Sequence, residues 1–307
     1  MKLDYIYIIN LNTPEHQIEQ KIKDVNWPYA INYYILPATN GWEAVKDQSK
    51  SRFKFKIADW WKIDNGKDFY TRGVTPGEAG CMLSHYECIY NAYEAGFENV
   101  LIFEEDFYTL GKFPTQEELN AVPNDASLIY LDRSQQCPDW DEERINDHVT
   151  RVGYTYNNHA YIMTRKGMKE VIDSTILDNV IVSDEFFPAI NGTSDRKDAV
   201  SKFHNKNFVS YALNGGYFSQ TSNPQVDSLT EFSLDYVNNL NKPEPLPKKL
   251  GILDDQDWNA WCDIYISPQI RNAEYDLMVD EPCPHVYVFP FFNKRFCKEL
   301  IKLGEQH

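Results

Sequence analysis

The stretch Val100-Leu101-Ile102-Phe103, followed at once by Glu104-Glu105-Asp106, decides the fold of this chain. Four consecutive apolar residues after Gly96 predict a strand buried on both faces, as in the parallel sheets of α/β proteins. Ligands of open α/β sheets bind beyond the carboxyl ends of such strands, where the three carboxylates stand. Like charges in a crevice raise one another's pKa unless a cation or basic group neutralises them. The pattern predicts a magnesium or manganese site beside a phosphate, with a solvated acidic turn as the alternative.

The elements around this strand predict an α/β fold class. Residues 5–11 and 32–36 are apolar runs typical of strands. Between them and the carboxylates, Thr75 is placed to be an N-cap, with Pro76 at the first helical position and Glu78 three residues after the cap. These three residues form the signature of a capping box and predict a helix that delivers the chain to the strand.

Composition disfavours several partners. The chain has 46 acidic and 30 basic residues and a formal charge of -16, which argues against binding to nucleic acid or to an anionic membrane surface. The six cysteines lack metal-type spacing and are expected to be free thiols. The first residues lead directly into a strand, and no apolar run reaches membrane length, so we expect a soluble protein without a signal peptide.

A proline-rich segment predicts the domain boundary. Residues 242–248 read Lys-Pro-Glu-Pro-Leu-Pro-Lys, and alternating prolines favour an extended linker. We therefore expect a main domain over residues 1–240, followed by a linker and accessory tail over residues 241–307.

The strand ends also predict how a nucleotide is held. The chain has neither a Gly-x-Gly-x-x-Gly loop after its first strand nor a P-loop. Two strands end near Asn10 and Asn40, and a later strand ends in the three carboxylates. A nucleoside could bind at the ends of the first two strands, and its diphosphate could bind a metal held by the carboxylates. This is the layout of a nucleotide-sugar glycosyltransferase, in which a metal stabilises charge on the leaving diphosphate.

Two segments closely resemble glycosyltransferase family 25. They are residues 75–86, Thr-Pro-Gly-Glu-Ala-Gly-Cys-Met-Leu-Ser-His-Tyr, and the strand with its carboxylates at residues 100–106. The likeness covers most of residues 1–235. It implies an α/β fold of the GT-A type, a UDP-hexose donor and a divalent metal, usually manganese, held by Glu104, Glu105 and Asp106. The chain departs from the family at Asn40 and Glu105, where aspartate is usual.

The resemblance also implies which residues contact the two substrates. Asp184 and Glu185 are candidates for contacting the acceptor, one of them as a base; an acidic pair at a helix N-terminus is the structural alternative. The candidates for the donor site are Asn10, Leu11, Asn40, Ser84, His85 and Asn158. His204 is a weaker candidate for a further metal ligand. Gly215-Gly216 and Gln220 predict either a loop over the diphosphate or an ordinary hairpin turn.

The tail carries a second resemblance. Residues 281–290 and 296–300 resemble the segment that precedes the hydroxylase region of procollagen lysyl hydroxylases. No His-x-Asp sequence occurs in the chain, so the usual iron-binding triad cannot be assembled and we expect no dioxygenase activity. Together the resemblances imply a viral or invertebrate collagen glycosyltransferase, in the host cytoplasm if viral, acting on collagen-like polypeptides.

Three functions follow as hypotheses. The first is transfer of glucose from UDP-glucose to galactosyl-hydroxylysine or hydroxylysine, and the second is transfer of galactose from UDP-galactose to hydroxylysine. The third is a non-catalytic scaffold that binds collagen-like chains or a hydroxylase. The sequence leaves the donor sugar, the stereochemistry and the oligomeric state open.

Overall fold

The computed structural model describes residues 1–61, 73–135 and 142–220, together with residue 266 and two short strands at residues 280–283 and 286–288. The chain divides into two compact units, Met1–Val237 and Asn238–His307. The boundary predicted at residue 240, the linker at residues 242–248 and most of the predicted tail lie outside the described residues.

The first unit is built around a mixed sheet. Its described strands are β1 (Tyr5–Asn10), β2 (Asn32–Pro37), β3 (Asn99–Glu104), β4 (Phe107–Thr109), β5 (Leu128–Tyr130), β6 (Ser134–Gln135), β7 (Glu143–Arg144), β8 (Val149–Arg151), β9 (Thr155–Tyr156), β10 (Ala160–Thr164), β11 (Ser210–Leu213) and β12 (Phe218–Gln220). Eight of these form one sheet in the order β2-β1-β3-β10-β5-β11-β8-β7. β2, β1 and β3 are parallel, whereas β10 runs antiparallel to both of its neighbours.

Helices cover this sheet. The α-helices among the described residues are α1 (Glu15–Asp24), α2 (Gly41–Lys46), α3 (Pro76–Glu94), α4 (Gln116–Asn120), α5 (Arg165–Ile172), α6 (Ser183–Asn191) and α7 (Lys197–Phe203). None of them is long and apolar enough to cross a lipid bilayer. In the second unit, β13 (Asp280–Cys283) and β14 (Val286–Val288) form an antiparallel pair.

The central strands are apolar throughout because both faces of the sheet are covered. Tyr7 and Ile9 of β1 belong to the core beneath α3, whereas Ile6 and Ile8 belong to the opposite core, beneath α1. The alternation follows from the two-residue period of a strand, and the double burial explains the unbroken apolar run. The α/β class expected from the sequence is confirmed, as is its Rossmann-like arrangement of the GT-A type.

The predicted capping box at α3 is confirmed. The Thr75 hydroxyl accepts from the Glu78 backbone N–H at 3.1 Å, and the Glu78 carboxylate accepts from the Thr75 backbone N–H at 2.7 Å. Gly96 follows the helix with φ of 79°, a left-handed conformation in which glycine carries no steric penalty. The signals are local in sequence, which is why they could be read before the fold was known.

Strand register places three strand ends at one level. Ile9 pairs with Glu104, and Asn10 pairs with Pro37. The chain therefore leaves β1, β2 and β3 along the same edge, and the acidic triplet stands beside the β1–α1 and β2–α2 turns.

Candidate active site

An open cleft lies at the carboxyl ends of β1, β2 and β3. Its walls come from the two turns that follow β1 and β2, the first turns of α3, and the acidic triplet after β3. The lining residues are Ile9, Leu11, Ala38, Thr39, Asn40, Gly41, Trp42, Gly77, Gly80, Cys81, Ser84, His85, Glu104, Glu105 and Asp106. The two motifs that resemble glycosyltransferase family 25 therefore line the same cleft.

Two glycines allow the β2–α2 turn to lie directly on α3. A Cβ atom added to Gly80 would come within 2.5 Å of the Thr39 carbonyl oxygen, and one added to Gly41 within 1.7 Å of the Pro76 carbonyl oxygen. Ser84 joins the same pair of elements, because its hydroxyl accepts from the Thr39 backbone N–H at 2.9 Å. The position of this wall of the cleft depends on the absence of side chains at Gly41 and Gly80.

The contacts of the acidic triplet divide it into two groups, because β3 ends at Glu104 and the chain turns at Glu105 and Asp106. Glu105 points toward the β1–α1 turn. Its Oε2 accepts hydrogen bonds from three backbone N–H groups of that turn, those of Leu11 (3.2 Å), Asn12 (3.1 Å) and Thr13 (2.8 Å). Lys21 of α1 donates to the Glu105 carbonyl oxygen at 2.6 Å. Glu105 thus fastens the β1–α1 turn to the end of β3.

Glu104 is held by a buried histidine. The His85 Nε2 atom lies 2.9 Å from Glu104 Oε1, and His85 Nδ1 lies 3.0 Å from the Tyr161 hydroxyl. Burial alone would raise the pKa of Glu104, but the hydrogen bond and charge of His85, with a smaller effect of His159, lower it below its usual value. Glu104 is therefore a fixed anion at the base of the cleft.

Asp106 is an electrostatic partner of Glu104. Burial, followed by the charge of Glu104, raises the pKa of Asp106 to about 6, against the opposing effects of Gln220 and His159. Gln220 Nε2 donates to Asp106 Oδ2 at 2.6 Å, so the residue predicted near the diphosphate contacts the acidic motif. The charge of Glu104 raises the proton affinity of Asp106, and a divalent cation beside the two carboxylates would relieve this repulsion.

The charge of Glu104 also affects Asp184. Burial and then the Glu104 carboxylate raise the pKa of Asp184 to about 7. Its Oδ1 accepts from the Asn157 backbone N–H at 3.1 Å and from Asn158 Nδ2 at 2.7 Å. Asn157 has φ of 72°, the only positive φ of a non-glycine residue in the described part of the chain. Such a conformation costs about 1 kcal/mol or more and is a feature of functional loops.

Glu185 has a different environment from its neighbour Asp184. Its Oε1 accepts hydrogen bonds from the hydroxyls of Tyr154 and Tyr156, and its Oε2 accepts from the Ser194 hydroxyl at 2.7 Å. Burial raises the pKa of Glu185 despite these hydrogen bonds. Both oxygens are engaged by protein groups, so Glu185 fixes the segment that leads into Asn157 and Asn158.

The remaining predicted donor residues mainly shape the turns. The Asn10 side chain exchanges two 2.9 Å hydrogen bonds with the Thr13 backbone, and Asn40 Oδ1 caps α2 by accepting from Trp42 at 3.1 Å. Leu11 lines the cleft. Asn158 Oδ1 is buried and has no hydrogen-bond partner among the described residues, and Asn158 is not among the residues that line the cleft.

The remaining predictions concern His204 and the loop of Gly215 and Gly216, near the end of the described part of the first unit. The His204 ring packs against Gly192, where an added Cβ would lie 2.8 Å from it. His204 is absent from the group of described residues whose ligand atoms could converge on a metal, which consists of Cys81, His85 and Glu104. Gly215 and Gly216 precede β12, which pairs with β4 and brings Gln220 to the motif.

Two features near the cleft were not predicted from the sequence, namely the contact of His159 with Asp132 and the position of Cys81. His159 is fully buried, its Nε2 lies 3.1 Å from Asp132 Oδ2, and its backbone carbonyl accepts from the Glu104 N–H at 3.0 Å. Cys81, predicted only as a free thiol, is confirmed as one and lines the cleft. Burial and the charge of Glu104 raise the pKa of its thiol. The four-residue spacing of Cys81 and His85 on a predicted helix was the available signal.

Comparisons with known proteins place this architecture in a family. The sequence model described as glycosyltransferase family 25 (LPS biosynthesis protein) matches residues 3–187. The "Procollagen lysyl hydroxylase and glycosyltransferase" of Acanthamoeba polyphaga mimivirus is 28% identical over 75% of this chain and 26% of its own length. The "Procollagen galactosyltransferase 1-A" of Xenopus laevis is 24% identical over 75% of this chain and 40% of its own.

A third relative carries a different description. The "Probable inactive glycosyltransferase 25 family member 3" of Bos taurus is 33% identical over 61% of this chain and 32% of its own length. The chain thus spans between about a quarter and two fifths of these curated relatives. Because the family match extends over more than half of the chain and includes both motifs that line the cleft, this protein belongs to glycosyltransferase family 25.

Proposed function

We propose that this protein is a metal-dependent glycosyltransferase that moves a hexose from a UDP-sugar to hydroxylysine, or to galactosyl-hydroxylysine, in collagen-like chains. The observation that carries the proposal is a pair of interacting carboxylates, Glu104 and Asp106, in a cleft at the carboxyl ends of three parallel strands. The collagen acceptor rests on the names of the mimivirus and Xenopus relatives.

The donor set fits a hard divalent cation such as manganese. Carboxylate oxygens are its preferred ligands. A bound cation would also relieve the electrostatic repulsion between Glu104 and Asp106. We assign the metal to these two residues. Glu105, a ligand candidate from the sequence, instead carries three backbone hydrogen bonds and is proposed to support the site. A bound cation would stabilise the charge that develops on the leaving diphosphate.

The chain's own residues have separate tasks in this proposal. Leu11 and the turn containing Thr39 and Asn40 form the wall proposed to receive the nucleoside. Asp184 is the proposed acceptor-side carboxylate, because a pKa of about 7 lets it hold or release a proton near neutral pH. Glu185 is proposed as a positioning residue that acts through Tyr154 and Tyr156.

Glucose is the first choice of donor sugar and galactose the second. The tail resembling lysyl hydroxylases favours glucose, whereas the name of the Xenopus relative favours galactose. Purified protein should be given UDP-glucose or UDP-galactose with manganese, and either deglycosylated or galactosylated hydroxylysine peptides. UDP release stimulated by one donor and acceptor pair names the reaction, and mass spectrometry of the peptide verifies the added hexose.

A non-catalytic scaffold is the competing function. The description of the Bos taurus relative as probably inactive favours it, as does Asn40, at a position where the family usually has aspartate. The intact Glu104–Asp106 pair favours catalysis. Binding of UDP or collagen-like peptides without turnover for any donor would support the scaffold and contradict the transferase.

A further inference from the structure

A second cluster of metal-ligand atoms lies beside the acidic pair. Cys81 and His85 are four residues apart on α3 and therefore share one face of the helix. One ligand atom from each of Cys81, His85 and Glu104 lies within 4.8 Å of the others. All three residues line the cleft, so an ion arriving from solvent has a route to them.

Neighbouring groups hold these side chains in place. With a metal bound, His85 Nδ1–H can donate to the Tyr161 hydroxyl, 3.0 Å away, and Nε2, which lies 2.9 Å from Glu104 Oε1, is then the unprotonated ligand atom. Such an outer hydrogen bond is a regular feature of histidine ligands. Ser183 Oγ lies 3.5 Å from Cys81 Sγ. The cluster therefore has an outer shell as well as three ligands.

The chemistry of these ligands selects a softer ion than manganese. A thiolate and an imidazole favour zinc, whereas oxygen-only ligands favour magnesium and manganese. Tetrahedral zinc with bonds of about 2.0–2.3 Å separates its ligand atoms by about 3.3–3.5 Å. The 2.9 Å contact between His85 Nε2 and Glu104 Oε1 needs to open only slightly, and Cys81 Sγ needs to approach. Three protein ligands leave the fourth position open toward the cleft.

We propose that Cys81, His85 and Glu104 form an inhibitory zinc site that shares Glu104 with the hard-cation site. Zinc binding replaces the thiol proton of Cys81, which passes to solvent, and takes Glu104 away from the pair with Asp106. Zinc and manganese then exclude one another at the shared carboxylate. The inhibitory effect rests on the proposed transferase function, whereas the zinc site itself does not.

Cobalt(II) is the direct probe of the thiolate ligand. Bound to a thiolate it gives a near-ultraviolet charge-transfer band, which needs no enzymatic activity to be seen. The wild-type protein and Cys88→Ser should show this band with one equivalent of Co²⁺ and lose it when Zn²⁺ is added. Cys88 is the matched control because it is a buried free thiol seven residues further along the same helix.

Cys81→Ser should lose the band while keeping the circular dichroism spectrum of the wild type, and Cys81→Ala provides a second variant if serine prevents folding. A band of undiminished strength in either variant, or no band in the wild type, would overturn the site. The expected weakening of zinc inhibition in Cys81→Ser is at least about tenfold. If no transfer activity exists, the cobalt band still decides the site; if transfer occurs without the band, only this inference fails.

Discussion

The Oε2 atom of Glu105 accepts a 2.8 Å hydrogen bond from the backbone N–H of Thr13, a residue 92 positions away in the sequence. Two further backbone N–H groups, of Leu11 and Asn12, donate to the same oxygen. A carboxylate makes stronger hydrogen bonds with backbone N–H groups than a neutral acceptor does. Glu105 therefore fixes the position of the β1–α1 turn relative to Glu104 and Asp106.

We expect Glu105→Ala to lower the free energy of unfolding by about 2–3 kcal/mol, because three partly buried backbone donors lose a charged acceptor. Urea unfolding measures this directly. The matched control is Glu19→Ala, since the Glu19 carboxylate is exposed and its 3.8 Å pair with Lys23 contributes at most about 1 kcal/mol. An equal effect of both substitutions, or a loss of manganese binding without a loss of stability in Glu105→Ala, would contradict the assigned role.

The raised pKa of Asp184 predicts a pH-dependent stability. The pKa of Asp184 is about 7 in the folded protein and 3.8 in the unfolded chain. Between these two pH values the folded protein therefore binds a proton that the unfolded chain has released. The contribution of Asp184 is therefore full below about pH 4 and disappears as the pH rises to about 7. In the presence of a chelator, Asp184→Asn should reduce the fall in stability over this range by up to about 1.4 kcal/mol per pH unit. An unchanged slope would show that Asp184 titrates in the fold as it does in the unfolded chain.

Gly80 provides a steric test of the β2–α2 wall. Gly80→Ala would bring a methyl group within 2.5 Å of the Thr39 carbonyl oxygen, so we expect a loss of about 1–3 kcal/mol in stability and weaker UDP binding. Gly73→Ala is the control, because a Cβ atom there meets nothing within 4 Å. Thermal unfolding and calorimetric titration with UDP report both effects. Equal stability and equal UDP affinity of the two variants would mean that the β2–α2 turn can shift away from α3 without loss of free energy.

Glu185 should act on transfer through the segment it holds. Glu185→Gln replaces an acceptor-only carboxylate with an amide and disturbs the hydrogen bonds from Tyr154 and Tyr156. We expect kcat to fall by about 10–100-fold and the pH profile of transfer to shift, because Asn157 and Asn158 no longer hold Asp184 in place. A lower stability with kcat and the pH profile unchanged would mean that Glu185 serves the fold alone.

The sequence predicted what depends on local signals. The capping box of Thr75 and Glu78 and the apolar run before Glu104 need only a few consecutive residues, and the structure contains both. Contacts between distant segments could not be predicted. The three amides on Glu105 depend on the register of β1 against β3, and the left-handed Asn157 depends on Asp184 from another element. The acidic triplet was therefore predicted as one unit, although its side chains point in two directions.

The central claim is that Glu104 and Asp106 hold a cation required for sugar transfer, and UDP release in the presence of a hydroxylysine acceptor tests it most directly. The wild-type protein should release UDP with manganese and stop when EDTA is added. Asp106→Ala should be at least about 100-fold slower with manganese while remaining folded. Equal rates for the wild type with and without manganese, or for the wild type and Asp106→Ala, would contradict the claim.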